Sequence, residues 1–334
     1  MRREVRGLSA RRLLFLAPRR VGLAPVDLPE PGPGRLVVRT RFSGISTGTE
    51  LLCYRGLLDP DLPLDERLGA LGGSFRYPFP YGYSCVGEVE LGTAAVPAGT
   101  TVFAFHPHQD RFVVAEDDVV VLPEGTDPRA ATLFPLVETA LQLSLDAGQV
   151  AHETVAVLGL GAVGVLTALL LQRAGATVLA ADPLEERREL AGALGLPAVA
   201  PEDLLAGLPP GGVPLVVELS GSPAALAGAL PLLAHEGTVL VGSWYGEQPV
   251  ALPLGGAFHR RRLTLRSSQV STVPARLGDR WDIPRRRRAA GALLGELPLA
   301  ALATTEFDFE EAALAYAALD GREPGVLHVA LRYP

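Results

Sequence analysis

Residues 159–164 read Gly-Leu-Gly-Ala-Val-Gly, a spacing of glycines that is typical of turns that bind dinucleotides. The turn follows the apolar run 154–158 and precedes the apolar run 165–171, so it joins a predicted strand to a predicted helix. Such glycines allow a tight turn and let the backbone approach a pyrophosphate at the N-terminus of the helix. The residues expected to contact the cofactor are Gly159, Gly161, Ala162, Val163 and Gly164. The alternative is a glycine-rich turn without a ligand.

An acidic residue follows at the distance that a dinucleotide fold requires. A further apolar run, 177–181, ends in Asp182, eighteen residues after Gly164. A carboxylate there accepts hydrogen bonds from both ribose hydroxyls and repels a 2′-phosphate. The pattern therefore predicts NAD in preference to NADP, and Arg187 is the nearby cation that a 2′-phosphate would engage instead.

Small polar residues and glycines follow later predicted strands. Ligands of doubly wound sheets bind at the carboxyl ends of the strands, where these residues are expected to lie. They are Ser220, Gly221, Gly242, Ser243 and Ser268. Trp244 and Tyr245 come next in the chain and either pack in an interface or line a substrate pocket.

The elements that must position these residues change character along the chain. The first 125 residues show period-two alternation and no long helical pattern, with strands predicted at 36–42, 85–90 and 111–114. A helix is predicted from Asp127 and Pro128 to about residue 145, broken or kinked at Pro135. Strands predicted at 155–158, 178–181, 215–219, 239–242 and 263–265 then alternate with helices at 162–174, 184–194, 202–206 and 223–234.

The tail adds predicted helices at 284–294 and 309–319 and a strand at 326–331, which we expect to pair with the β-rich front part. The predicted class is α/β, with a β-rich catalytic domain and a doubly wound parallel sheet. The predicted domains are 1–128, 129–272 for nucleotide binding, and a returning segment at 273–334.

Composition narrows the function. The apolar share is 48% and the net charge is −7, which favour folded cores and disfavour nucleic acid as the main partner. Residues Met1 to Glu4 lack the apolar core of a secretory leader, so we expect a cytoplasmic protein. The apolar stretch 155–171 is interrupted by glycines, so we do not expect it to cross a membrane. All 30 basic residues are arginine, which excludes lysine chemistry. The arginine runs 260–262 and 285–288 are interpreted as solvated ends of elements, with a subunit or anionic-ligand contact as the alternative.

Together the β-rich front, the inserted nucleotide fold and the returning tail resemble the medium-chain dehydrogenase/reductase family, whose fold joins a GroES-like domain to a Rossmann domain. The local markers are residues 42–50, 81–89 and 159–164. The form Gly-Ile-Ser-Thr-Gly-Thr-Glu at 44–50 is similar to the branch of bacteriochlorophyllide dehydrogenases. The resemblance implies an NAD-dependent alcohol dehydrogenase or carbonyl reductase that acts on a small molecule, and we expect a homodimer.

The chain departs from this family at the zinc-ligand positions. Zinc members carry a cysteine, a histidine and a third ligand where this chain has Ser46, Tyr83 and Phe134. These residues are poor zinc ligands, so we predict a member without catalytic zinc and without any other metal. One alternative is a new metal site built from His106 and His108, which share a face if they lie on a strand, with Glu50 or Glu138.

Without zinc, hydrogen-bond donors must polarise the substrate oxygen. Tyr83 and Ser46 take over former ligand positions, and Thr49 can relay a proton. The remaining catalytic candidates are Glu50, His106, His108 and Glu138, and the resemblance places Thr139 against the nicotinamide. The alternative to a catalytic role is, for Tyr83, a ring that only packs in the core and, for Glu138, a position on the solvent-exposed face of its helix. Competing functions are reduction of a quinone or an enone, and a nucleotide-binding sensor without catalysis.

Overall fold

The structure, a computed structural model, describes residues 9–321, 323 and 325–334. Met1 to Glu4, on which the expectation about a secretory leader depends, lie outside the described residues. The chain divides into two compact units. The first unit comprises the described residues up to Pro135 and those from Leu294 onward, and the second is Leu136–Leu293.

Sixteen strands are described. In chain order they are β1 (Ser9–Ala17), β2 (Arg20–Asp27), β3 (Arg35–Ile45), β4 (Phe79–Pro80), β5 (Cys85–Leu91), β6 (Thr101–Ala104), β7 (Arg111–Ala115), β8 (Val119–Val121), β9 (Thr154–Leu158), β10 (Thr177–Ala181), β11 (Ala198–Val199), β12 (Val213–Glu218), β13 (Leu233–Val241), β14 (Thr264–Ser267), β15 (Thr305–Asp308) and β16 (Val329–Arg332). The described α-helices are α1 (Thr49–Arg55), α2 (Pro128–Ala131), α3 (Phe134–Ala147), α4 (Ala162–Arg173), α5 (Glu185–Ala193), α6 (Leu204–Gly207), α7 (Pro223–Ala229), α8 (Ile283–Leu293) and α9 (Ala312–Gly321).

The first unit is β-rich, as predicted. One sheet has the order β2-β1-β4, and a larger one runs β15-β16-β3-β5-β6-β8, with β7 also paired to β3. The returning strand β16 lies antiparallel to β3, with Val329 opposite Ile45, which confirms the predicted return of the tail. A core of buried aromatic and aliphatic side chains, among them Phe15, Phe79 and Tyr316, packs around α1 and α9.

The second unit is a six-stranded sheet in the order β11-β10-β9-β12-β13-β14. Every pairing in it is parallel. Its central strands are buried on both faces, which explains why they read as continuous apolar runs. The predicted α/β class with a doubly wound sheet is confirmed.

Several boundaries differ from prediction for local reasons. The helix predicted to begin at Asp127 does so, because the Asp127 carboxylate accepts a hydrogen bond from the Arg129 amide at 2.9 Å. It ends at Ala131, and Pro135 then lies in the first turn of α3, where a missing N–H costs nothing. The helix predicted over 223–234 ends at Ala229, because Pro231 cannot continue it and β13 begins at Leu233.

The division between units also differs from the predicted domains. The boundary expected at residue 272 falls after Leu293, because α8 belongs to the second unit. Arg286 on α8 anchors it there through hydrogen bonds to Glu138 and Gln142 of α3. Within the described part of the chain, none of the helices combines the length and the apolar composition needed to cross a bilayer.

Candidate active site

Three hydroxyl side chains meet in the first unit. Ser46 follows the last residue of β3, Thr49 opens α1, and Tyr83 lies in the loop between β4 and β5. The Ser46 and Thr49 side chains lie close enough to the Tyr83 hydroxyl to lower its pKa. Burial and the nearby charge of Glu50 raise the pKa of Tyr83 to about 12, although the two hydroxyl partners lower it. The phenol therefore stays protonated at neutral pH and can act as a hydrogen-bond donor.

Phe134, which the resemblance assigns to the position of the third zinc ligand, is fully buried in an aromatic cluster. Its ring stacks on Phe103 with centroids 4.4 Å apart and meets Phe105 edge-on at 6.0 Å. A hydroxyl, a phenol and a phenyl ring do not provide the nitrogen, thiolate or carboxylate ligands that zinc needs. Among the residues that the structure describes, no group of three His, Cys, Asp or Glu side chains is arranged to hold a metal ion. The residues present do not fit a catalytic zinc.

Glu50 and His108, two of the predicted catalytic residues, form a buried pair. Both side chains are 0% exposed, and His108 Nε2 lies 2.9 Å from a Glu50 carboxylate oxygen. The other carboxylate oxygen accepts the backbone N–H of Ser46 at 2.9 Å. Glu50 therefore touches the hydroxyl cluster through the backbone of Ser46.

His106 and His108 do not lie on a strand, so the expectation that they share a strand face is wrong. Strand β6 ends at Ala104, and the chain then turns. The His106 ring stacks on Phe112 with centroids 4.1 Å apart, and its burial lowers the pKa to about 4. His108 points to Glu50 instead, and Asp110, which follows, accepts from the Arg11 amide and guanidinium.

In the second unit, the glycine turn lies between β9 and α4 as predicted. Gly159 has a φ of 96°, and a Cβ there would lie 2.7 Å from the backbone of Ser220, after β12. A Cβ on Gly164 would overlap the carbonyl oxygen of Gly159, which explains the close packing of the helix on the turn. By contrast, a Cβ on Gly161 would meet no atom within 4 Å, so this position faces open space at the N-terminus of α4. This is the cradle that a phosphate-bearing cofactor requires.

Asp182 follows the last residue of β10, and its carboxylate makes more contacts than the sequence suggests. One carboxylate oxygen accepts the Leu160 N–H at 2.8 Å, and the other accepts the Leu184 N–H at 2.9 Å. The side chain is 3% exposed, and an Arg187 nitrogen lies 3.5 Å from it. Arg187 therefore already pairs with the acid that is expected to bind ribose.

The ends of β12 and β13 carry a polar cluster around Glu218, which sequence reasoning missed. Its carboxylate accepts the amide and hydroxyl of Ser220 at 2.7 and 2.5 Å, and the Tyr245 hydroxyl at 2.6 Å. Ser243 Oγ accepts the Gly221 N–H at 2.9 Å. These bonds fix the loops at the carboxyl edge of the sheet, where Ser220, Gly221 and Ser243 were predicted to lie. Gly242 lies against Leu219 and Leu143, with no room for a side chain.

Glu138 is only 3% exposed, so the alternative that it lies on the solvent-exposed face of its helix is wrong. Its carboxylate binds Arg286, whose Nε and an NH group both lie 3.0 Å away, and Arg287 lies at 3.8 Å. Burial raises the pKa of Glu138, and these arginines oppose that shift. The reading of 285–288 as a solvated run is thus wrong for Arg286, which is 2% exposed. Thr139, the next residue, is partly exposed.

Ser268 follows β14, and its hydroxyl donates to an Asp146 carboxylate oxygen at 2.7 Å. Its amide donates to the Val241 carbonyl at 2.8 Å, which continues the ladder of β13 and β14 by one residue. The hydroxyl predicted to face the cofactor is therefore engaged within the second unit.

Comparison with known proteins places this arrangement in context. Residues 162–282 match the family model described as zinc-binding dehydrogenase. D-guloside 3-dehydrogenase of Escherichia coli is 25% identical over 313 residues, which cover 85% of this chain and 88% of that protein. The 2-desacetyl-2-hydroxyethyl bacteriochlorophyllide A dehydrogenase of Cereibacter sphaeroides is 40% identical over 77 residues, which cover 23% of this chain and only 21% of the relative.

Solved structures agree at the level of the fold. The 2R,3R-butanediol dehydrogenase from Bacillus subtilis superimposes with a TM-score of 0.78 at 19% identity, covering 97% of this chain and 99% of that one. The segment matched by the family model begins at Ala162, inside the glycine turn, and contains α4. The likeness of fold extends over both units. Together these matches support the resemblance of this chain to the medium-chain dehydrogenase/reductase family.

Proposed function

We propose that this protein is an NAD(H)-dependent oxidoreductase that interconverts an alcohol and a carbonyl without catalytic zinc. The observation that carries the proposal is the cluster of the Tyr83, Ser46 and Thr49 hydroxyls. The family resemblance assigns Tyr83 and Ser46 to positions where zinc members hold the metal. Phe134, buried in its aromatic cluster, removes the third ligand position.

In this proposal Tyr83 donates a hydrogen bond to the substrate oxygen. A carbonyl that is being reduced gains negative charge on oxygen, and a well-placed donor stabilises that charge. Because its pKa is raised to about 12, Tyr83 keeps its proton over the neutral range and polarises the oxygen as a donor. Ser46 and Thr49, which lie close to it, orient the phenol, and the partly exposed Thr49 connects it to solvent for proton delivery.

The second unit supplies the cofactor site. The open position at Gly161, the N-terminus of α4 and the carboxylate of Asp182 fit a dinucleotide. When bound, a nicotinamide cofactor supplies or accepts the hydride. Asp182 retains free lone pairs for ribose hydroxyls, so we assign the preference to NAD, with Arg187 moving aside from the carboxylate on binding.

Relatives support an alcohol as substrate. D-guloside 3-dehydrogenase and L-galactonate-5-dehydrogenase of Escherichia coli are both named for the oxidation of polyhydroxylated compounds. Reduction of a quinone or enone is the second candidate within enzymes, since a phenol donor would also stabilise an enolate oxygen. A nucleotide sensor without catalysis is the candidate of a different class.

The test combines turnover with metal analysis. Purified protein is assayed at 340 nm with NAD or NADH against alcohols, ketones, enones and quinones, and its zinc content is measured by elemental analysis. We expect alcohol or ketone turnover, less than a tenth of an equivalent of zinc per chain, and no inhibition by a chelator. Turnover restricted to enones or quinones would favour the second candidate, and cofactor binding without any turnover would favour the sensor. One tightly held zinc per chain would refute the proposed mechanism.

A further inference from the structure

We propose that Tyr316 and His108 are positioning residues which, through Glu50, hold Ser46 and with it the hydroxyl cluster of the active site. This inference rests on the proposed function, because it concerns the geometry of the same cluster. Tyr316 lies on α9 near the end of the chain, far in sequence from the residues it would position.

The Glu50 network comprises Glu50, His108, Tyr316, Ser43 and Tyr333. Glu50 accepts hydrogen bonds from the Tyr316 hydroxyl and from His108 Nε2 on the same carboxylate oxygen. On the far side of the imidazole, His108 Nδ1 lies 2.7 Å from Ser43 Oγ, and Ser43 Oγ lies 2.9 Å from the Tyr333 hydroxyl. The network thus ties β3 and α1 to the loop after β6 and to the C-terminal segment of the first unit.

The whole network is inaccessible to water. Glu50, His108, Ser43 and Tyr316 are each 0% exposed, and Tyr333 is 5% exposed. A buried carboxylate is tolerated only when hydrogen bonds satisfy it, and a donor that is removed is not replaced by solvent. The position of the Glu50 carboxylate is therefore set by its three donors, one of which is the Ser46 amide.

The hydrogen bond from the Ser46 amide to Glu50 links the position of Glu50 to the hydroxyl cluster. The Ser46 amide donates to one oxygen of Glu50, at 2.9 Å, while the other oxygen receives His108 and Tyr316. In addition, the Glu50 amide donates to the Ser46 carbonyl at 3.0 Å, so the turn 46–50 is closed from both sides. Ser46 and Thr49, which both lie close to the Tyr83 hydroxyl, belong to this turn. Loss of a donor at Glu50 would release the turn that carries two of the three hydroxyls.

The burial of His108 and its hydrogen bonds distinguish a positioning role from a catalytic one. His108 is fully enclosed, and both of its nitrogens are engaged by Glu50 and Ser43. It has no free nitrogen with which to touch a substrate. We therefore assign His108 and Glu50 to positioning and leave the donor role to Tyr83.

The experiment compares Tyr316→Phe with Tyr54→Phe. Tyr54 is a matched control, because it is 6% exposed and stacks on Tyr316 at 5.3 Å in the same aromatic core. Amide exchange is measured by NMR on the apo protein, and kcat and KM are measured with the best substrate found. For Tyr316→Phe we expect the Ser46 amide to exchange about tenfold faster, a tenfold change being about 1.4 kcal/mol. Amides of β9 should keep their wild-type rates, kcat should fall about tenfold, and KM should stay within about twofold.

Tyr54→Phe should leave all of these values unchanged. Glu50→Gln is the second variant: its oxygen can still accept the Ser46 amide, but its NH2 group cannot accept from Tyr316 or His108, so we expect the Ser46 amide to exchange at least about tenfold faster than in wild type. Unchanged Ser46 exchange in Tyr316→Phe would overturn the inference, as would an equal acceleration in Tyr54→Phe or throughout the protein. Because amide exchange needs no turnover, it tests the network even if the proposed oxidoreductase activity is refuted.

Discussion

Replacing Tyr83 by phenylalanine removes one hydroxyl and keeps the ring, which packs edge-on against Tyr81 with centroids 6.1 Å apart. If the phenol donates to the substrate oxygen, the variant loses a donor that acts on charge developing in the transition state. Loss of one such donor costs roughly 10²-fold in kcat, equivalent to about 2.7 kcal/mol. The cost in folding stability should be smaller, at most about 1 kcal/mol, because the hydroxyl's neighbours Ser46 and Thr49 are neutral.

The pH dependence makes this prediction sharper. With the pKa of Tyr83 raised to about 12, the phenol is protonated at every pH at which the enzyme is assayed. The ratio of wild-type to variant kcat should therefore be constant between about pH 6 and 9. A ratio that changed tenfold over this range would show that Tyr83 acts in its ionised form.

The assay follows NADH at 340 nm under saturating cofactor, together with thermal unfolding of each protein. Tyr81→Phe is the control, since it removes a neighbouring hydroxyl from a ring that is 4% exposed in the same core. We expect Tyr81→Phe to retain wild-type kcat. Near-normal turnover in Tyr83→Phe with an unchanged melting temperature would refute the donor role, and Ser46 would then be the next candidate.

Three further predictions concern the cofactor and the buried charges. NADP(H) should bind at least about tenfold more weakly than NAD(H) in fluorescence titrations, since we propose that Asp182 binds the ribose; equal affinities would instead assign the contact to Arg187 or Arg188. Arg286→Met should lower the free energy of unfolding by about 3–5 kcal/mol, because it leaves the buried Glu138 carboxylate without its main partner. Urea titrations measure this loss, and a loss below about 1 kcal/mol would contradict the prediction. His328 is 1% exposed, and burial lowers its pKa to about 4, so the unfolded chain binds the extra proton first and stability should fall by up to about 3 kcal/mol as the pH drops from 6.5 to 4. His328→Gln should remove the share of the slope that His328 contributes and leave the share of His106, whose pKa is also lowered to about 4; an identical slope in the variant would exclude His328 as a source.

His328 also shows what spacing along the sequence cannot reveal. Its Nε2 donates to the Thr132 hydroxyl at 2.9 Å, because that hydroxyl already donates to the Arg129 carbonyl at 2.6 Å. Nδ1 has no hydrogen-bond partner among the residues that the structure describes. A histidine near the end of an alternating strand gave no sequence signal for this environment. Only the pairing of β16 with β3 creates it.

The sequence alone determined the features that depend on neighbouring residues. Apolar period and glycine spacing placed β9, the turn at Gly159 and α4, because a strand, a tight turn and a helix each have a local signature. The capping residue Asp127, followed by Pro128, likewise predicted where α2 begins. Substitution of hydroxyl and aromatic residues at the ligand positions, read through the family resemblance, pointed to Tyr83 and Ser46.

Tertiary structure alone decided which charged groups are buried and which partners satisfy them. Glu50 meets Tyr316 across 266 residues, and Glu138 meets Arg286 across 148. No local pattern encodes such distances, and an arginine run reads as solvent-exposed until a buried carboxylate is found beside it. A carboxylate removed from water must gain donors wherever the fold brings them, so the role of Glu50 and Glu138 follows from packing and not from their neighbours in sequence.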